Sequence, residues 1–93
     1  MTALPVPPEI YFSDFAFDIK TFKIYRHDTL LHTVSGLDNI ECGKTYIHFQ
    51  LPVDVQSGDI LENSDCRYLV TEIAFDTYNG SKALLKAYVV ATL

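Results

Sequence analysis

The chain has 93 residues, a formal net charge of −5, 48% hydrophobic residues and 20% charged ones. That balance describes one globular domain with one modest core, not a disordered chain. Lysine and arginine form no cluster, which excludes phosphate-backbone contact and with it direct nucleic-acid binding. No apolar run reaches the roughly 18 residues that a membrane span needs.

Residues 1–9 read as an extended arm, and residues 10–93 as a single all-β domain. Pro5, Pro7 and Pro8 cannot donate to a ladder, and they push their predecessors towards extended backbone. Such an arm either hangs free or docks on a neighbouring subunit. No basic leader opens the chain, so the protein is expected in the cytoplasm where it is made. Ile10-Tyr11-Phe12 reads as the start of strand pairing, and Phe15 and Phe17 continue the aromatic run.

Ile19 to Arg26 alternates and reads as a strand. His27-Asp28-Thr29 turns, and Leu30 to Val34 returns as the second strand of a hairpin closed by Ser35-Gly36. Leu37 to Lys44 reads as a loop around Asp38-Asn39 and Gly43, with room for one irregular strand. Tyr46 to Leu51 is the cleanest strand: Ile47, Phe49 and Leu51 point one way, and Tyr46, His48 and Gln50 the other. Pro52 ends it or places its end on an edge.

The last third carries the sharpest signals. Val55 to Leu61 is a turn at Gly58-Asp59 feeding a strand, and Asn79-Gly80 marks a two-residue hairpin loop. With that loop, Tyr78 faces Ser81, Asp76 faces Ala83, Ala74 faces Leu85, Glu72 faces Ala87 and Val70 faces Val89. Phe75, Ile73, Thr71 and Leu69 then meet Leu84, Lys86, Tyr88 and Val90, so both faces carry apolar pairs. Six Tyr and six Phe against four Gly also lean towards strands. The expected fold is all-β: a small single-domain barrel or sandwich of six to seven short antiparallel strands behind an extended Pro-rich arm.

Chemistry-bearing patterns are weak. His27, His32, His48 and Cys42 match no zinc spacing, and Cys42 and Cys66 read as two reduced thiols. Asp54, Asp59, Glu62 and Asp65 lack the order of a calcium loop and read as a solvated turn. No glycine-rich phosphate loop is present. No catalytic, cofactor-binding or metal residue is therefore assigned, and no cofactor is expected. Gly58-Asp59-Ile60-Leu61 resembles the turn of biotinyl and lipoyl carrier domains, but no attachment hairpin with its lysine follows.

The run Val55-x-x-Gly58-Asp59-Ile60-Leu61, then Tyr68-x-Val70, Asp76, Gly80 and an apolar closing strand, resembles the C-terminal half of small bacteriophage head–tail connector and head-closure β-barrel proteins. The resemblance spans residues 46 to 90. It implies a structural, ring-forming subunit of a virion or prophage without enzymatic activity. Protein partners or self-association follow from it, with Pro7, Pro8, Tyr46, His48, Tyr78 and Tyr88 as the candidate interface. Two alternatives stand beside it. One is a binding module that adds a partner strand at Tyr46 to Leu51. The other is a small metal protein or enzyme using His48 and Cys42.

Overall fold

The computed structural model describes residues 2–14 and 19–92. Its body is six antiparallel strands: β2 (Lys20–Arg26), β3 (Thr29–Glu41), β4 (Lys44–Gln50), β5 (Ile60–Glu62), β6 (Arg67–Tyr78) and β7 (Ser81–Thr92). They run in the order β6-β5-β2-β3-β4-β7, and β7 pairs back onto β6. The sheet is thus a closed barrel. Its first element, β1 (Thr2–Ala3), adds in parallel at Asp76 and Thr77 on β6.

Three turns share one backbone solution. His27 and Asp28, Cys42 and Gly43, and Asn79 and Gly80 all have φ between 51° and 79°. Positive φ at both central residues gives the two-residue turn whose twist matches the flanking strands. Cys42-Gly43 therefore joins β3 to β4 directly, where a loop over Leu37 to Lys44 was expected. Gly36 likewise closes nothing. It lies within β3 opposite Phe49, and a Cβ there would stand 2.7 Å from Phe49 Cε1. Its lack of a side chain makes room for the ring.

The barrel interior is filled by Phe22, Ile24, Ile47, Phe49, Leu61, Val70, Leu85, Ala87 and Val89, joined by Val55. Phe22 meets Phe49 edge to face, with ring centroids 5.8 Å apart. The alternation expected for β4 holds: Ile47 and Phe49 point in, and Tyr46 and His48 point to the outer wall.

The β6–β7 hairpin departs from its expected register. Tyr78 faces Ser81, but Asp76 then faces Leu84, Ala74 faces Lys86 and Glu72 faces Tyr88. Ala83 is an extra residue on β7, and Thr71 an extra one on β6, after which Val70 faces Val89 as expected. A shift of one residue moves side chains to the opposite face. Between the two bulges it aligns Ile73 and Phe75 with Ala87 and Leu85 inside the barrel. Lys86 and Tyr88 go outside together with Leu84, which the arm covers there.

The N-terminal arm lies on this outer wall. Pro8 opens a helix, α1 (Pro8–Asp14), where its fixed φ and missing N–H are no handicap. The carbonyl of Pro7 accepts from the amides of Ile10 and Tyr11. Ile10 to Phe12 are thus helical, not the strand start expected of them, while Phe15 and Phe17 lie outside the described residues. Leu4, Tyr11 and Ile19 pack on Leu37 and Leu84, and Leu4 N–H donates to Thr77 O at 2.7 Å. The described part of the arm packs on its own barrel.

Candidate functional site

Beneath the arm sits a buried polar cluster on the barrel's outer wall. His48 of β4 faces Lys86 of β7, and the shifted register brings Asp76 of β6 alongside. His48 is 4% exposed, Asp76 3% and Lys86 6%. His48 Nε2 and Asp76 Oδ2 are 2.6 Å apart, and His48 Nδ1 lies 3.0 Å from the Tyr11 hydroxyl. Carboxylates accept and phenols donate, so these partners select one tautomer. Nε2–H donates to Asp76, and Nδ1 accepts from Tyr11.

Burial sets the charge states. Desolvation lowers the His48 pKa, with the Asp76 hydrogen bond opposing it, and leaves the ring neutral. Burial also raises the Tyr11 pKa and pushes Tyr46 up to about 12, so both phenols keep their protons. Lys86 lies 3.7 Å from Asp76 Oδ1 and 4.0 Å from Glu41 Oε2. Its ammonium stands 4.6 Å from the ring centre of Tyr46 and 5.8 Å from that of Tyr88. Cation–π attraction offsets part of its lost hydration.

A second polar assembly fastens the loop before β5. Arg26 donates to Asp59 from Nε at 2.9 Å and from Nη2 at 2.8 Å, and to Asp54 at 3.1 and 3.2 Å. Asp59 Oδ2 also accepts the Gln56 amide. These contacts hold the Asp54 carboxyl below its ordinary range and the guanidinium further above its own. Asp59 is therefore a buried ion-paired group, not part of a solvated turn. With Glu62 facing Arg67 at 3.9 Å and Asp76 under the arm, much of the segment's acidity is spent internally.

The candidate interface residues mostly gather on this one wall. Tyr46 faces Tyr88 across the β4–β7 ladder, with His48 beside them and Pro7 and Pro8 at the start of the covering helix. Tyr46 and His48 are buried by their own chain, whereas Tyr88, Tyr78, Pro7 and Pro8 are half-buried. The stretch Tyr46 to Leu51 is no edge, because β4 is bonded to β3 on one side and β7 on the other. His48 and Cys42 are not brought together. Cys42 sits exposed at the β3–β4 turn, six residues or roughly 20 Å of strand away. Among the described residues no group of three or more His, Cys, Asp or Glu gathers to hold a metal.

Sequence reading missed Tyr11, Asp76 and Lys86, whose meeting depends on two bulges and on the arm's path. It also missed Leu30 and Leu31, both exposed on the β2–β3 hairpin. Adjacent leucines next to a tight turn were the available signal: a two-stranded tip cannot bury both. The paired part of β4 begins opposite Gly36, so, among the described residues, positions 29–35 of β3 are laddered to β2 alone, while His32 Nε2 of that stretch meets the Asp54 carbonyl at 3.1 Å. Among the described residues no helix is long and apolar enough to cross a membrane. No protein-family model, no curated protein and no solved structure matches the chain.

Proposed function

We propose that the protein is a non-enzymatic structural or assembly subunit of the phage head–tail connector type, working through protein–protein contacts and self-association into a ring. The observation that carries this reading is the β2–β3 hairpin. It holds Leu30 at 48% and Leu31 at 40% exposure beside a stretch of β3 bonded on one side. Adjacent exposed leucines on a strand laddered on one side are a contact surface in waiting. The packed barrel and the internally matched groups around His48 and Arg26 favour a rigid building block over a reactive site. Virion location and ring closure rest on the family resemblance of residues 46–90.

A second reading keeps the same edge and changes the partner. A foreign strand adding to residues 29–35 of β3 makes the protein a binding module. Light scattering across protein concentration separates the two. A ring gives a stable multiple of the 10.5 kDa chain, reduced to the monomer by Leu30→Glu with Leu31→Glu. A monomer at every concentration overturns self-association of the isolated chain and leaves the binding module.

A further inference from the structure

We propose that the Tyr11–His48–Asp76 chain is a proton-sensitive fastening: neutral His48 holds the N-terminal arm on the barrel, and a proton on its Nδ1 releases the arm and uncovers Leu37 and Leu84. This inference is independent of the assembly reading. The three residues come from α1, β4 and β6, so one imidazole ties the arm to two barrel strands. Its seat is built by the β4–β7 and β6–β7 ladders. Among the described residues the arm is held by a two-residue parallel pairing, the Leu4 N–H bond, and the Leu4 and Tyr11 side chains, with Asn39 of β3 also hydrogen-bonded to Tyr11.

The groups around His48 determine what a proton does. Tyr11 faces it from the arm, Tyr46 from its own strand, Asp76 from β6 and Lys86 from β7, and Glu41 of β3 reaches Lys86. The neutral ring already uses both nitrogens. Protonation places a hydrogen where Tyr11 now donates. The hydroxyl can turn to accept it, so that bond alone does not decide the outcome. Burial does: under the arm an imidazolium has lost its water, and Asp76, which would steady it through Oδ2, is already shared with Lys86 on Oδ1, with Glu41 4.0 Å from the lysine. Lifting the arm hydrates the new cation. The undocked form therefore binds the proton more tightly, and acid shifts the arm towards it. Lowering of the His48 pKa by burial agrees with this direction.

The test is amide hydrogen exchange at Leu4, followed by NMR between pH 7 and 5 and corrected for intrinsic rate, together with titration of the three imidazoles. Protection at Leu4 is expected to fall as His48 titrates, by up to tenfold per pH unit for one linked proton. His48→Gln, which still donates and accepts but does not titrate, is expected to flatten the profile. Tyr11→Phe is expected to raise the His48 pKa towards its ordinary value while the barrel amides stay protected. Unchanged Leu4 protection across the range in the wild-type chain overturns the proposal. So does a wild-type His48 pKa at or above that of a free imidazole.

Discussion

Gly36 lies directly under the ring of Phe49, where a Cβ would approach Cε1 to 2.7 Å and Ile47 Cγ2 to 3.0 Å. Both neighbours are fully buried and cannot yield without disturbing Phe22 and the barrel centre. Gly36→Ala is expected to cost about 1–3 kcal/mol by overpacking, and Gly36→Val more. Phe49→Ala should cost about 3–5 kcal/mol by leaving a cavity. The combination Gly36→Ala with Phe49→Leu should lose less than the sum, because the smaller side chain frees the space that the methyl needs. Urea denaturation of these variants and of Phe49→Leu alone checks this; simple additivity would show that the close approach is not the cause.

Arg26 grips two carboxylates that differ in setting. Asp59 is 2% exposed and has three donors, from Arg26 Nε, Arg26 Nη2 and the Gln56 amide, while Asp54 reaches the same guanidinium from solvent. Removing Asp59 strands donors inside the fold; removing Asp54 returns exposed groups to water. Asp59→Ala should lower the urea midpoint several-fold more than Asp54→Ala. Added salt should narrow the Asp54→Ala effect and leave the Asp59→Ala effect nearly intact. Equal losses would mean that the loop is not fastened through Asp59.

These two sites show where sequence reading succeeds and where it stops. Asn79-Gly80 names its own turn, because few other pairs take positive φ at both positions cheaply. Ile47 and Phe49 alternate with polar neighbours and so declare their inner face. Cys42 carries no such label, because cysteine has no preference for positive φ that would mark a turn. The register between Asp76 and Thr71 is set by bulges at Ala83 and Thr71. Both are ordinary strand residues whose extra position follows from closing the barrel, not from local preference. His48 looks solvent-facing by alternation, and it is buried by residues 37 positions earlier in the chain. Long-range covering of an outer wall leaves no local signature.

Burial of His48 makes stability depend on pH with a definite sign. Its folded pKa lies below the ordinary value near 6.5, mainly through desolvation. The unfolded chain therefore takes up the proton first. The stabilisation is complete above about pH 6.5 and declines as pH falls towards the folded value, at most by about 1.4 kcal/mol per pH unit. Urea denaturation at pH 7.5, 6.5 and 5.5 (roughly bracketing the free imidazole value) should show this decline in the wild-type chain. His48→Gln should lack the component. A stability that rises on acidification over the same range would place the folded pKa above 6.5 and reverse the assignment.

Asp76 and Lys86 are the two buried charges of the cluster, and their removal is not equivalent. Asp76 accepts from His48 Nε2 at 2.6 Å and faces the ammonium at 3.7 Å, so Asp76→Ala deprives two donors at once. Breaking a buried pair by deleting one partner costs about 3–5 kcal/mol, because the surviving charge stays desolvated. Lys86→Met leaves Asp76 with its His48 hydrogen bond, and a thioether chain of similar length can lie across the rings of Tyr46 and Tyr88. The expected loss is smaller than for Asp76→Ala. The double variant Asp76→Leu with Lys86→Met removes both charges, and it should recover much of what Asp76→Ala loses. The three variants are compared by thermal or urea midpoints at pH 7.5, above the imidazole range of about 6.5, so that His48 titration does not intrude. A double variant no better than Asp76→Ala would show that the hydrogen bond to His48, and not the buried lysine, sets the penalty.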